Sequence, residues 1–109
     1  MISFADWEKL EIKMGEVTEA EAVPGSTKLV RLQVDFGSEQ RQIVAGIAEF
    51  YQPDELVGKK CPFLFNLEPK KLKGIESQGM ILAVDPKGDR SDCALLEADK
   101  EVEPGAKIS

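Results

Sequence analysis

Alternating apolar and polar residues predict a chain built mainly of short strands. Over residues 30–36 the alternation is strict, which is typical of a strand with one buried and one solvated face. Residues 12–14 begin an earlier strand, and Gly15 within it is expected to mark a bulge or a sharp bend. Pro62 favours an edge position for a later strand. The later strands are predicted over residues 41–47, 60–66 and 79–84, with 93–96 pairing back onto 79–84 and 102–108 closing the chain.

Two short helices are predicted from the residues at their ends. Ser3, followed three residues later by Asp6, is the pattern of an N-cap. Pro53 and Gly58 bracket a second helix between the third and fourth strands. This order of elements is that of an OB-fold, an all-β, five-stranded Greek-key barrel, here with a short N-terminal helix and a C-terminal strand extension. Strand pattern alone leaves an SH3-like barrel or a small sandwich open. A length of 109 residues predicts a single domain, residues 1–109.

Composition narrows the class of protein. Hydrophobic residues make up 42% of the chain and charged residues 31%, as in an ordinary soluble globular domain. The longest uninterrupted apolar run, residues 80–84, is too short to cross a bilayer. The N-terminal segment carries acids where a signal peptide needs a basic and then an apolar stretch. We therefore expect a cytoplasmic protein without membrane contact. Cys61 and Cys93, each inside an apolar run, are predicted to be buried reduced thiols.

The sequence offers no candidate catalytic residues. It has no histidine, which excludes histidine-based zinc sites and Ser–His or Cys–His nucleophile pairs. It also lacks a glycine-rich phosphate loop, a GxSxG elbow and a CxxC pair. The acids at 54–55 lie in a first helical turn, where they suit the helix dipole, and those at 97–103 fit a solvated face. We expect a protein that is not an enzyme and needs no cofactor or metal.

Positive charge is concentrated in one stretch of an acidic chain. Residues 59–74 carry five lysines and one acid, a balance of +4, whereas the whole chain is −6, so the remaining residues sum to −10. An anionic ligand responds first to nearby charge, because salt screens distant charges. The lysine-rich end of the stretch is predicted to be a loop that leads into the strand at 79–84. The stretch is a candidate polyanion site, although lysines that flank a loop are often only solvated. The five are Lys59, Lys60, Lys70, Lys71 and Lys73.

Aromatic residues are too few to provide a stacking surface for bases. The chain has five phenylalanines, one tyrosine and one tryptophan, and most fall on apolar-periodic positions where core packing is expected. If the chain binds nucleic acid, contacts to phosphates, 2′-hydroxyls and overall shape are therefore favoured over stacking.

Several ordered motifs resemble one known family over nearly the whole chain. They are Arg-Gln-Ile-Val-Ala-Gly-Ile-Ala at 41–48, Tyr51, Pro-Asp-Glu-Leu-Val-Gly-Lys at 53–59, Asn-Leu-x-Pro-x-Lys-Leu-x-Gly at 66–74 and Ser-x-Gly-Met-x-Leu-Ala at 77–83. The sequence resembles the tRNA-binding domain appended to methionyl-tRNA synthetases, which also occurs as a free-standing structure-specific tRNA-binding protein and as a separate β subunit. The resemblance implies an OB-fold, a homodimer without catalytic activity, and binding of tRNA by shape on the outside of the L. It also implies help to a methionyl-tRNA synthetase catalytic chain in holding its substrate.

The resemblance and the lysine stretch together give the candidate tRNA-binding residues. They are Lys28, Arg41, Asn66, Lys70, Lys71, Lys73, Ser77 and Met80. Lys28 matches the lysine of a His-Pro-x-Ala-Asp-Lys-Leu motif whose histidine, alanine and aspartate are absent here. Alternatives remain for three of them: Met80 fits a core position, while Asn66 and Ser77 fit side chains that tie off a loop by bonding backbone groups.

A related branch of the family, described as a secretion chaperone, resembles the start of the chain at residues 6–17. That branch generally lacks the Gly-Ile-Ala and Ser-x-Gly-Met motifs present here, so a peptide- or protein-binding dimer is the second functional hypothesis. In either case Phe4 and Trp7 on the first helix, with residues 104–108, are the predicted dimer surface.

Overall fold

The computed structural model describes the whole chain, Met1–Ser109, and most of its regular structure is strand. The elements are α1 (Phe4–Glu8), β1 (Ile12–Ala22), β2 (Val30–Asp35), β3 (Gln40–Ala45), α2 (Pro53–Leu56), β4 (Lys60–Leu64), β5 (Lys70–Leu72), β6 (Ile75–Ser77), β7 (Met80–Ile81), β8 (Ala83–Val84), β9 (Ala94–Leu95) and β10 (Lys107–Ile108).

β1 is the central strand of the main sheet. It pairs antiparallel with β4 on one side; on the other side β10 pairs with its first residues, Ile12 and Lys13, and β2 pairs with the rest of the strand from Glu16 onward. The sheet order is β3-β2-β1-β4-β7, so the chain runs through three neighbouring strands, crosses by α2 and returns beside β1. This confirms the predicted all-β OB-fold, with its helix between the third and fourth strands and β10 as the C-terminal extension.

The predicted alternation of β2 places its apolar side chains in the core. Val30, Leu32 and Val34 are fully buried, and the core continues through edge-to-face contacts of Phe36 with Phe63 and with Phe65, at 5.4 and 5.0 Å between ring centroids. Edge-to-face geometry brings the positive edge of one ring to the negative face of another, which stabilises the pair beyond area burial.

Gly15 does not form the predicted bulge. It pairs in regular register with Cys61, and the register shift of β1 lies between Val17 and Glu19 instead. A Cβ at position 15 would lie 2.5 Å from Cγ1 of Val34. Glycine is therefore required by the close packing of β2 across β1, and sequence alone does not distinguish that cause from a bulge.

The predicted edge position of the strand that contains Pro62 is also wrong, because β4 pairs with β1 on one side and with β7 on the other. Pro62 is tolerated because the partner residue Met14 directs its backbone groups away from β4: its N–H donates to Ala106 O, and its carbonyl accepts from Gly105 N. The missing proline N–H therefore leaves no gap in the β1–β4 ladder.

The lysine-rich segment, expected to be a loop, is a β-hairpin formed by β5 and β6. Its two-residue turn has positive φ at both positions, 53° at Lys73 and 78° at Gly74, as in the type I′ turn that suits the twist of two antiparallel strands. The prediction missed β5 because Lys70–Leu72 lacks apolar alternation. The strand predicted at 79–84 is divided into β7 and β8, and β8 pairs with β9 as expected.

Both predicted helices are present and short. Ser3 caps α1 by accepting a hydrogen bond from Asp6 N at 3.1 Å. In α2, which starts at Pro53, the Glu55 carboxylate accepts from Gln52 N at 2.9 Å. No helix of the chain has the length and apolar character needed to cross a membrane.

Candidate nucleic-acid interface

The β5–β6 hairpin carries three lysines and one acid, Glu76, which lies opposite Lys71. Lys70, Lys71 and Lys73 are exposed, and none of them forms an ion pair. Six other cationic side chains each have an acidic partner: Lys9, Lys13, Arg31, Arg41, Lys59 and Lys60. The hairpin is therefore a surface where cationic charge remains available to a ligand.

The five-lysine stretch predicted from the sequence is divided in the structure. Lys59 pairs with Glu97 at 3.4 Å, and Lys60 pairs with Glu101 and also donates to Val102 O. The hydrogen bond between Lys60 and Glu101 raises the pKa of the lysine and lowers the pKa of the carboxyl group. The two ion pairs join the C-terminal segment to Lys59 and to Lys60, the first residue of β4, so Lys59 and Lys60 do not add to the charge of the hairpin.

Ser77 and the residue after it attach the hairpin to β3. Ser77 is 5% exposed; its hydroxyl accepts from Val44 N at 2.9 Å and donates to Gly79 O at 3.0 Å. Gln78 N donates to Gln42 O at 2.8 Å, and the Gln78 side chain accepts from Gln42 N at 3.0 Å. The barrel therefore closes between β3 and β6 through these bonds, and the hydroxyl of Ser77 is fully used inside the protein.

Arg41, also on β3, connects this strand to the residues that precede and follow the hairpin. Its side chain is 21% exposed and pairs with Glu39 at 3.0 Å. One guanidinium nitrogen donates to the carbonyls of Phe65 and Gln78, and the guanidinium carbon lies 3.5 Å from the centroid of the Phe65 ring. Because these contacts join β3 to the residues on both sides of the hairpin, Arg41 fixes the base of the hairpin.

Asn66 lies in the same region and is also committed to backbone groups. Its amide oxygen accepts from Glu11 N at 2.9 Å and its amide nitrogen donates to Lys9 O at 2.7 Å. With Arg41, Leu67 and Pro69 it lines an open cleft of about 390 Å³ beside the hairpin. The predicted residues Arg41 and Asn66 are therefore brought together, at the base of the hairpin.

Met80 and Lys28 have different surroundings. Met80 is 45% exposed, which excludes a pure core role and leaves its side chain available to a partner. Lys28 is exposed and lines a separate cleft of about 380 Å³ with Phe50 and Arg90. The structure does not bring Lys28 into the cleft at the base of the hairpin.

Sequence reasoning missed Gln42 and Gln78, which hold the hairpin against the barrel. For Gln42 a signal existed: because Ile43 points into the core, its neighbour in the strand must point outward. Gln78 lies between β6 and β7, outside any periodic pattern, so nothing in the sequence indicates its contacts.

The barrel topology and the cationic hairpin beside β3 define an OB-fold module suited to an anionic partner. Residues 12–107 match the family described as "Putative tRNA binding domain", and the chain belongs to this family.

Relatives of known sequence and structure agree with this assignment. The chain is 57% identical to the methionine–tRNA ligase of Methanoregula boonei and 54% identical to that of Thermotoga maritima, over 99% of its own length. It spans only 16% and 17% of the length of these ligases. The structure matches a MetRS related protein from Pyrococcus horikoshii with a TM-score of 0.93 and 39% identity, covering 100% of this chain and 98% of that one. It also matches the chaperone CsaA from Bacillus anthracis with a TM-score of 0.89 and 34% identity, covering 100% and 99%.

Proposed function

We propose that this chain binds folded tRNA through the β5–β6 hairpin and catalyses no reaction. The observation that carries the proposal is the set of three exposed lysines without acidic partners on a hairpin that is bonded to the barrel. Family membership supplies the class of ligand, since the matching family is one of tRNA-binding domains. No metal or cofactor is needed for binding of this kind.

The mode of binding follows from what the surface offers. Lysine ammonium groups bind phosphates as point charges, and each neutralised phosphate releases counterions. The rings of Phe36, Phe63 and Phe65 are buried, so they are not available to stack on bases. The acidic remainder of the chain repels a polyanion that does not fit the hairpin. We therefore propose that the hairpin recognises tRNA by its shape and by the positions of its phosphates, with Met80, just after the hairpin, as an apolar contact.

The direct test is the double substitution Lys70→Glu with Lys73→Glu. It places negative charge on the hairpin, so binding of folded tRNA should be abolished, while the free energy of unfolding changes by about 0.5 kcal/mol or less, as for exposed positions in general.

The milder substitution Lys70→Gln removes one positive charge without adding a negative one. It should reduce the slope of log affinity against log salt concentration by about one for each phosphate that is no longer neutralised. Filter binding over a salt series measures both.

The matched control reverses two other exposed lysines that form no ion pair, Lys87 and Lys100. It changes the net charge by the same amount at positions outside the hairpin. Equal loss of tRNA binding in both double variants would assign the effect to whole-molecule charge. Unchanged binding in the hairpin variant would leave its lysines as solvated residues only.

We further propose that the chain assists a methionyl-tRNA synthetase in the cytoplasm, either as part of a longer chain or as a partner. The proposal rests on the ligase relatives, in which the matching segment is a small part of the protein. Adding the chain to a ligase that lacks this segment should lower the KM for tRNA and leave the KM for methionine unchanged. No change in either constant would contradict the partnership.

A homodimer is the proposed assembly. Phe4 is 73% exposed on α1 and, with Trp7 and Ile108, lines a concave surface. Ile108 also borders a second, mainly apolar groove of about 300 Å³ that contains Met14 and Leu96. The two together form one apolar face, and a face of this kind on a small domain usually marks a partner.

The second candidate function is binding of unfolded polypeptide. It is favoured by the same apolar face and by the likeness to CsaA. A displacement experiment separates the two candidates. The labelled chain is bound either to folded tRNA or to a reduced, unfolded polypeptide, and a non-ionic detergent is then added to each complex. Displacement of polypeptide but not of tRNA by a non-ionic detergent would assign the polypeptide to the apolar face and the tRNA to the hairpin.

A further inference from the structure

We propose that Gln42 is a positioning residue whose side-chain amide sets the angle of the β5–β6 hairpin, and that this angle gives the chain its preference for folded tRNA over single strands. The inference rests on the proposed function. It starts from the topology: β5 and β6 form a separate two-stranded sheet with no strand ladder to the main sheet. An isolated hairpin is marginally stable in water, so its orientation depends on its few attachments.

The amide of Gln42 makes one of these attachments. Its Nε2 donates to the backbone carbonyl of Glu76 at 2.8 Å, and its Oε1 accepts from Nη1 of Arg31 at 3.5 Å. A guanidinium only donates and a carbonyl only accepts, so one orientation of the amide satisfies both neighbours. Arg31 therefore turns the donor of Gln42 towards the hairpin.

Arg31 is itself held in place. Its Nε donates to the Glu21 carboxylate at 2.7 Å, Glu19 lies 3.9 Å away, and only 19% of the side chain is exposed. A polar chain thus runs across the outer face of the sheet from β1, through Arg31 on β2 and Gln42 on β3, to the backbone of β6.

The position of the bond on the hairpin explains its effect. Glu76 lies directly opposite Lys71 in the hairpin register, whereas the other bonds to β3 come from Ser77 and Gln78, at the base. Without the Gln42 amide the hairpin keeps its base contacts and can pivot about them. Lysines at fixed positions select phosphates that are arranged by a folded RNA, whereas a flexible single strand adapts to lysines in any arrangement.

The test compares Gln42→Met with Gln33→Met in the full chain. Gln33 is a matched control because it lies opposite Gln42 in the β2–β3 register and its side chain makes no hydrogen bond. In Gln42→Met we expect faster hydrogen exchange of the backbone amides at 70–77 and about fivefold weaker binding of folded tRNA, the effect of losing one ordinary hydrogen bond. Affinity for poly(U) and the salt slope should stay unchanged, since all the lysines remain.

A second variant, Arg31→Met, frees the amide to rotate without removing it and should give a smaller loss of preference. Equal weakening of tRNA and poly(U), or faster exchange at 70–77 with the preference intact, would overturn the inference. So would unchanged exchange in Gln42→Met. A wild-type chain that binds no tRNA would defeat the proposed function instead, and the exchange rates would still show whether Gln42 holds the hairpin.

Discussion

At Gly15 the packing of the barrel leaves no space for a side chain. A Cβ would meet Cγ1 of Val34 at 2.5 Å and Cε1 of Phe36 at 2.7 Å, and overpacking of this kind costs about 1–3 kcal/mol. Gly15→Ala should therefore lower the free energy of unfolding by that amount in a denaturant titration. Gly46→Ala is the control, since no heavy atom lies within 4 Å of its added Cβ. Similar effects at both positions would contradict this account of Gly15.

The two cysteines should differ in reactivity. Cys61 is fully buried and Cys93 half-buried, and both are free thiols. Burial raises the pKa of Cys61 to about 11, and burial also raises the pKa of Cys93. Only the thiolate reacts with iodoacetamide, so at pH 8 we expect slow labelling of Cys93 and labelling of Cys61 only after denaturation. Peptide mass spectrometry reads out both sites; equal rates in the native protein would be incompatible with this burial.

The same shift gives a pH dependence of stability. The unfolded chain ionises Cys61 near its ordinary pKa of 9.0, whereas the folded chain does so at about 11. The neutral thiol therefore stabilises the folded state fully below pH 9.0, and this contribution is lost as the pH rises towards 11. Thermal unfolding of wild type and Cys61→Ala should converge over that interval, because the alanine variant has no thiol to ionise.

At the scale of elements, two substitutions in the hairpin turn test separately how its charge and its backbone geometry contribute to tRNA binding. Lys73 has a φ of 53° and Gly74 a φ of 78°. Asparagine tolerates positive φ, so Lys73→Asn should keep the hairpin and lower the salt slope of tRNA binding by about one. Gly74→Ala keeps every charge but strains the turn by about 1 kcal/mol, so it should speed amide exchange at 70–77 without changing the slope. An unchanged slope in Lys73→Asn, or a lower slope in Gly74→Ala, would contradict this division of roles between the two residues.

How far the sequence predicts an element depends on whether its pattern has one physical cause. The alternation of β2 has one cause, burial of a single face, and the prediction is confirmed. The lysine hairpin has no such pattern, because β5 exposes Lys70 and Lys71 and is held by polar side chains from β3. The motif identifies Ser77, but the hydrogen bond that its hydroxyl accepts from Val44 N depends on a strand more than thirty residues earlier in the chain. Contacts of that range cannot be inferred from local periodicity.

At the scale of the whole molecule, the proposed dimer brings two hairpins into one particle, and its existence can be tested by a substitution on the apolar face. Phe4→Lys places a charge on the apolar face formed by α1 and Ile108 and should shift the chain to a monomer in sedimentation at micromolar concentration. Val57→Lys is the control, since Val57 is 49% exposed and lies outside that face. A monomeric wild type would contradict the dimer directly.

The effect of Phe4→Lys on tRNA binding then distinguishes two arrangements of that dimer. If both hairpins bind one tRNA, the monomer neutralises half as many phosphates, and the salt slope should fall by about half. If each hairpin binds its own tRNA, the slope should stay unchanged and the stoichiometry should remain one tRNA per chain. Binding isotherms combined with sedimentation measure both quantities. The slope decides, because it reports how many phosphates are neutralised in each complex, whereas affinity alone also reflects the positive charge that the substitution adds.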